Sequence, residues 1–279
     1  MPDIGFVNGR FMPLEEATVS VEDRGFQFGD GIYEVIRTYH GQPFQLDAHL
    51  ARLERSANAI ELPLSWNIQQ WATHVRDGIT RSGYTESKVY LQLTRGAAPR
   101  DHVFPVAAKP TAVMTVREMR PMDTTLRDSG VTVMTMDDWR WGRCDIKSVN
   151  LLPNVLARQK AKQAGAFEAL FVRNGQVTEG AVSNVMMVKA GRLLTAPEGE
   201  RILSGVTRTI ILELARKEGL PVEERFVMVE EFQHADEIFL TGTTVEVLPV
   251  IRVDGKPVSS GKPGPATLKL QAAFQRLVG

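Results

Sequence analysis

A chain of 279 residues with 43% hydrophobic and 24% charged side chains has the composition of a folded globular protein, and a chain of this size buries roughly three quarters of the surface it exposes when unfolded. Its 33 basic and 33 acidic residues cancel, which argues against nucleic acid or an anionic membrane as partner and leaves self-association electrostatically unopposed. No apolar run is long enough to span a bilayer, the opening MPDIGFVNGRF lacks the basic stretch and apolar core of a secretory signal, and the single Cys144 can form neither an internal disulfide nor a zinc motif, so a reduced, cytoplasmic setting and no metal are expected.

In chain order, Asn8-Gly9 between Phe6-Val7 and Phe11-Met12 predicts a hairpin with a two-residue turn. DRGFQFGDG, rich in glycine and charge, predicts a loop, and residues 33–39 alternate as a strand with Tyr33, Val35 and Arg37 on one face. Leu46, Leu50, Leu53, Ala57 and Ile60 recur at helical spacing, with Asp47 supporting the helix start. A second helix is expected over 66–81 and strands over 88–94 and 111–116, with RGAAPRDHVFP as the loop between them.

The pattern breaks at 119–124, where Pro121 sits among charged residues, and this stretch is read as a linker. A strand over 131–136 follows, then a helix opened by Pro153 and ended by Gly165. Asn174-Gly175 joins strands 168–173 and 176–179 in the clearest hairpin of the chain. A helix runs from Ser204-Gly205 to Gly219, followed by strands at 238–241 and 247–253 and a last helix over 268–277. Helices and strands mix without strict alternation, which predicts two α+β domains rather than a doubly wound sheet. The expected boundaries are 1–118 for a smaller N-terminal domain and 125–279 for a larger C-terminal one.

The chemistry centres on CDIKSVNLLPNVLARQ, where Lys147 is bracketed by Ile146, Val149, Leu151 and Leu152. Enclosure by apolar side chains disfavours an ammonium and favours the free amine that Schiff-base chemistry requires. Taken alone, such a lysine more often snorkels to water. Glu179, directly after the second hairpin in VTEG, is a carboxylate that could hold a protonated pyridine nitrogen. Ser204-Gly205-Val206-Thr207 opens a helix, whose free N–H groups and dipole suit an anion. Gly242-Thr243-Thr244 offers further donors, and Arg52 in HLARLER could clamp a phosphate through two hydrogen bonds. Each of these has an ordinary structural reading as cap, turn or solvated charge. Cys144, although close to Lys147, reads as a small semi-buried side chain.

Together and in this order, DRGFQFGDGIYEV, HLARL, CDIKSVNLL, VTEG–SN, ILSGVTR and FLTGTTVEVLPV resemble the class IV aminotransferases, the fold type IV pyridoxal-phosphate enzymes, over nearly the whole chain. The resemblance implies an α+β fold of two α/β domains with pyridoxal 5′-phosphate in the cleft between them, and places the cofactor lysine in the larger C-terminal domain. It implies Lys147 as the Schiff-base lysine and Glu179 as the partner of the pyridine nitrogen. Arg52, Gly205, Val206, Thr207, Gly242 and Thr243 would form the phosphate cup, and Leu203 would support the ring's face. It also implies a homodimer acting on amino acids and 2-oxo acids.

Within the family the pattern is most similar to the D-amino acid aminotransferases. Arg100 and His102 in RGAAPRDHVFP, with Tyr33 in GDGIYEV, match that group's substrate-carboxylate trap, and an arginine and a histidine two apart on an extended loop point the same way. The resemblance then implies transfer of the amino group of D-alanine and other D-amino acids to 2-oxoglutarate, with Arg100 and His102 serving the partner chain.

Branched-chain L-aminotransferases and aminodeoxychorismate lyase are the competing readings. The former usually carry a tyrosine where this chain has Leu152, and lack the Arg-x-His pair. The chain departs from many members in having Ala181-Val182 before Ser183, where a run of serines is common. Arg37, on the face of Tyr33, is a second cation that would favour dicarboxylic substrates.

Overall fold

The computed structural model describes residues 2–107, 109–120 and 122–279. The chain divides into two compact units, Met1–Arg120 with Ile146–Asn150, and Pro121–Asp145 with Leu151–Gly279. Helices and strands mix in both, in the α+β manner that the sequence predicts.

The first unit contains β1 (Ile4–Val7), β2 (Arg10–Pro13), α1 (Arg24–Phe28), β3 (Gly31–Tyr39), β4 (Gln42–Pro43), α2 (Leu46–Ala59), α3 (Ile68–Ser82), β5 (Ser87–Thr94) and β6 (Thr111–Glu118). Its strands form an antiparallel sheet in the order β2-β1-β6-β5-β3-β4. The expected hairpin pairs Phe6 with Phe11, and Asn8 and Gly9 both take positive φ, as the turn demands. Because side chains alternate across a strand, Ile32, Ile36, Leu91 and Leu93 fall on one face and form a core with Leu50, Leu53, Trp71 and Val75 from α2 and α3.

The DRGFQFGDG stretch is not wholly a loop. Asp23 accepts a hydrogen bond from the Gly25 N–H at 2.8 Å, and Gly29 ends α1 in the left-handed conformation at φ 69. A side-chain cap and a glycine stop suffice to close one turn where composition suggests none.

Lys147 does not belong with the second unit, as the expected boundaries had it. Its segment runs along the start of β3: the Tyr33 N–H donates to the Lys147 carbonyl at 2.9 Å, and the Val149 N–H to the Gly31 carbonyl at 3.0 Å. Backbone pairing to a strand more than a hundred residues earlier is invisible to local pattern. Of the linker read at 119–124, Pro121 lies outside the described residues, and Thr124 already opens a helix, capped by Asp123.

The second unit contains α4 (Thr124–Ser129), β7 (Val131–Asp137), α5 (Leu152–Gln163), β8 (Glu168–Arg173), β9 (Gln176–Gly180), β10 (Asn184–Lys189), β11 (Arg192–Thr195), α6 (Val206–Lys217), β12 (Val222–Glu224), β13 (Val227–Met228), α7 (Val229–Phe232), β14 (Glu237–Gly242), β15 (Glu246–Val253), β16 (Lys256–Pro257) and α8 (Pro265–Val278). The sheet runs β12-β11-β10-β14-β15-β7-β8-β9-β13, with β16 on β15; β7 pairs in parallel with β8 and β15. Ala157 and Ala161 let α5 lie close against Phe171 and Ala169 of β8. Asn174 (φ 54) and Gly175 (φ 74) make the β8–β9 turn, which is what brings Glu179 back beside β8.

Candidate active site

In the first unit, β3 sends Tyr33 to one face and Glu34 to the other. Lys147 Nζ lies 4.3 Å from the centre of the Tyr33 ring, and the Lys147 N–H donates to Ser56 Oγ of α2 at 3.2 Å. The lysine is half-buried, so the apolar bracket seen in the sequence is only part of its surroundings. Tyr33 also stacks on Tyr90 at 5.7 Å, whose hydroxyl donates to Gln92 Oε1 at 2.6 Å. Burial, with a smaller contribution from Tyr33, pushes the Tyr90 hydroxyl up to about 12, so it stays a donor.

Glu34 is wholly buried and takes a forked ion pair from Arg52, Nε to Oε1 at 2.7 Å and Nη2 to Oε2 at 2.8 Å. His49, three residues before Arg52 on the same face of α2, reaches Glu34 Oε2 through Nδ1 at 2.9 Å. Burial alone would raise the Glu34 carboxyl, but the charge and hydrogen bonds of Arg52, joined by those of His49, hold it far below the carboxylate range. Burial pushes the His49 imidazole down; Glu34 opposes this, and the charges of Arg52 and Lys147 add to it. An ionised carboxylate only accepts, so neutral His49 must carry its proton on Nδ1. The two-bond clamp expected of Arg52 is therefore made to Glu34 in this structure, a partner that lies 18 residues away in sequence.

The trap loop has its own anchor. Arg24 donates to the carbonyls of Asp101, His102 and Val103 and pairs with Asp30 at 2.8 Å. Arg95 shares Asp30 at 2.9 Å and covers the Phe104 ring at 3.5 Å. The structure brings Arg100 and His102 together on Phe28, the guanidinium at 4.4 Å and the imidazole at 5.4 Å from the ring centre, both side chains exposed. Tyr33, the third residue expected with them, is engaged with Lys147 and Tyr90. Arg37 has its charge matched by Glu86 at 3.5 Å and lies over the Tyr39 ring at 4.3 Å.

In the second unit, Glu179 is 5% exposed. Its Oε2 accepts from Asn184 Nδ2 and from the Leu203 N–H, each at 3.0 Å, and Oε1 is paired with Arg140. Each of these donors favours the carboxylate over the neutral acid. Asn184 also donates to the Leu203 carbonyl at 2.9 Å and pairs across the sheet with Thr241, next to Gly242 and Thr243. A Cβ on Gly205 would sit 2.0 Å from Asn184 Oδ1, so only glycine fits there. Gly205 precedes α6 and offers no side-chain cap, and Thr207 is buried. Thr241 Oγ1 is buried without a hydrogen-bond partner among the described residues. Val182 is 60% exposed, while Ala181 is buried.

Asn184 thus gathers Glu179, Leu203, Gly205 and the β14 end into one place, a role that the SN after VTEG hinted at only by position. Arg140 was not singled out by sequence; the signal available was its alternation with Asp138 in DDWRW. Cys144 is buried and inert: burial foremost, with Glu179 and Asp138, outweighs Arg140 and Arg173 and raises its thiol to about 11. This unit's donor set suits pyridoxal 5′-phosphate: a helix start without a side-chain cap, the buried Thr207 and the orphaned Thr241 hydroxyl suit a phosphate, and a fixed carboxylate suits a ring nitrogen.

Residues 31–253 match the class IV amino-transferase family, and the chain belongs to it. It is 44% identical to D-alanine aminotransferase of Bacillus licheniformis over 97% of this chain and 95% of that one. It is 42% identical to D-alanine aminotransferase of Staphylococcus haemolyticus over 98% and 97%. Among solved structures, the branched-chain amino acid aminotransferase of Escherichia coli superposes with a TM-score of 0.93 at 29% identity, covering 100% of this chain and 95% of that one. The branched-chain amino acid aminotransferase of Thermobaculum terrenum, solved in its PLP-form, superposes with a TM-score of 0.88 at 27% identity, covering 99% and 94%. The chain is an aminotransferase, and none of its described helices is long and apolar enough to cross a membrane.

Proposed function

We propose that this aminotransferase uses pyridoxal 5′-phosphate to move the amino group of D-alanine and other D-amino acids to 2-oxoglutarate, giving a 2-oxo acid and D-glutamate. The observation that carries the D-specific reading is the 44% identity, over nearly full length, to a D-alanine aminotransferase. The branched-chain enzymes share the fold at 29% identity. Leu152, where that group usually carries a tyrosine, is 68% exposed and presents no hydroxyl.

When bound, the cofactor supplies a carbonyl for an amine and a ring that draws electrons from the substrate's α-carbon. Lys147 Nζ would be the amine that binds that carbonyl, and as a free amine it would serve as base and then acid for the α-proton. Glu179 would be the partner of the ring nitrogen, and Leu203, whose N–H donates to Glu179, would support the ring's face. The amides of Gly205, Val206 and Thr207, with Gly242 and Thr243, would hold the phosphate. Arg52, whose guanidinium Glu34 fixes in direction, would be the cation of that cup.

Arg100 and His102, side by side on Phe28, take the substrate carboxylate with Tyr33, and this sets which face of the α-carbon meets the lysine. The trap pair serves the partner chain of a homodimer working in the cytoplasm.

The test is a transamination assay with matched D- and L-amino acids against 2-oxoglutarate. Turnover of D-alanine but not L-leucine supports the reading. Turnover of L-leucine or L-valine alone would replace it with a branched-chain L-aminotransferase, and pyruvate release without an acceptor would replace it with the lyase. Borohydride reduction of the holoenzyme should leave the cofactor mass on Lys147; the same adduct in Lys147→Ala would remove that lysine from its role.

A further inference from the structure

Four charged side chains of the second unit stand in line with alternating sign. Arg173 Nη2 pairs with Asp138 Oδ2 at 3.0 Å. Asp138 takes a fork from Arg140, Nε to Oδ1 and Nη2 to Oδ2, both at 2.9 Å. Arg140 Nη1 then meets Glu179 Oε1. The Arg140 side chain is 7% exposed and its guanidinium lies 4.4 Å over the Phe171 ring, which leaves it little room to turn. It also donates to the Arg201 carbonyl at 3.3 Å. Burial alone would lower its proton affinity, but its hydrogen bonds to Asp138 and the charge of Glu179 outweigh burial and push it further up.

We propose that Arg140 is the positioning residue that keeps Glu179 a carboxylate with a lone pair directed at the cofactor's ring nitrogen. This rests on the reading of Glu179 given above. A ring nitrogen and a glutamate facing each other compete for one proton. A buried glutamate without a cation beside it would take that proton itself, because burial disfavours its charge. Arg140, which cannot release its own proton, tips the competition so that the proton stays on the ring. Its positive charge would repel a pyridinium, and Asp138 on its far side offsets that repulsion. Asn184 and the Leu203 N–H hold the other carboxylate oxygen, so the orientation is fixed from both ends.

The experiment compares apoprotein of the wild type, Arg140→Met and Arg140→Lys in binding pyridoxal 5′-phosphate and its 1-deaza analogue, in which C–H replaces the ring nitrogen. Arg140→Met should weaken pyridoxal 5′-phosphate about tenfold or more and change the analogue by no more than about twofold, since only the former makes a charge-assisted bond to Glu179. Arg140→Lys should lie between. With ring-15N cofactor, the nitrogen should move from the protonated to the unprotonated shift in Arg140→Met. Equal weakening of both compounds, or a ring nitrogen that stays protonated, would overturn the proposal and leave Arg140 a purely structural ion pair. If Arg140→Met does not fold, Arg140→Gln, which keeps hydrogen-bond donors but not the charge, decides on the same two readouts. A wild-type chain that binds neither compound would instead overturn the proposed cofactor.

Discussion

Glu34 in the first unit and Glu168 in the second are both wholly buried, and their carboxyls are pushed in opposite directions. Glu34 has a guanidinium fork and an imidazole against its two oxygens, and their attraction exceeds the desolvation of the carboxylate. Glu168 has the Val182 N–H at 2.6 Å on Oε1, Arg158 only as a more distant charge, and no hydrogen-bond partner for Oε2. Burial therefore wins at Glu168 and raises its carboxyl above the ordinary range, against smaller opposing contributions from Val182, Arg158 and Ser183. Depth of burial does not decide the charge of a carboxylate; the strength of the donors that meet it does.

That comparison can be broken at several points. The largest expected effect is Glu34→Gln, which strands the permanently charged Arg52 in the core and should lower unfolding stability by about 3–5 kcal/mol in denaturant titration. Arg52→Leu should cost less, because a stranded Glu34 can escape by taking a proton whereas a stranded arginine cannot. In that variant Glu34 becomes a second Glu168, so its deficit relative to wild type should grow as pH rises above the carboxylate range. The pair replacement Glu34→Leu with Arg52→Leu should recover much of the loss in stability, although not the cofactor affinity assigned to Arg52.

Glu168→Gln is a smaller and opposite case. A carboxyl raised by folding binds its proton more tightly in the native state, so its penalty is absent in acid and accumulates as pH rises through the unfolded value towards the folded one. The variant should match wild type in acid and gain on it at neutral pH, by about 1–2 kcal/mol. No pH-dependent gain would show that Glu168 is not strained. Glu34 has the reverse sign: its contribution is complete above the unfolded carboxylate range and fails only in strong acid. The smallest effect is expected for His49→Asn, which removes one bond to a carboxylate that keeps its fork, about 1 kcal/mol.

What the sequence disclosed follows the range of the interaction. The turns at Asn8-Gly9 and Asn174-Gly175 are legible because both depend on residues that tolerate positive φ within two positions. The helix edges at Asn67 and Gly83 are local too: a capping box at one end and a left-handed glycine at the other. Strands β10 and β11 left no alternation to read, since Val185, Met186, Met187 and Val188 are all buried and so both faces of β10 are apolar. Family motifs pointed to Lys147, Glu179 and the α6 start without any geometry. They could not disclose that Arg52 would be held by Glu34, that Arg140 would meet Glu179 across 39 positions, or that Asn184 would tie three segments together. Those contacts are made by chain segments that meet only in the folded state.

The placement of Ile146–Asn150 bears on how this protein could be divided. The chain leaves the first unit after residue 120, comes back for five residues, and departs again. A gene cut between 120 and 121 would yield a leading fragment whose strand at Gly31–Tyr39 lacks its backbone neighbour, and the missing stretch, Lys147 included, would be encoded on the trailing fragment. Split reporters should therefore not be opened at that point, because the lysine-bearing stretch would have to return from the other fragment.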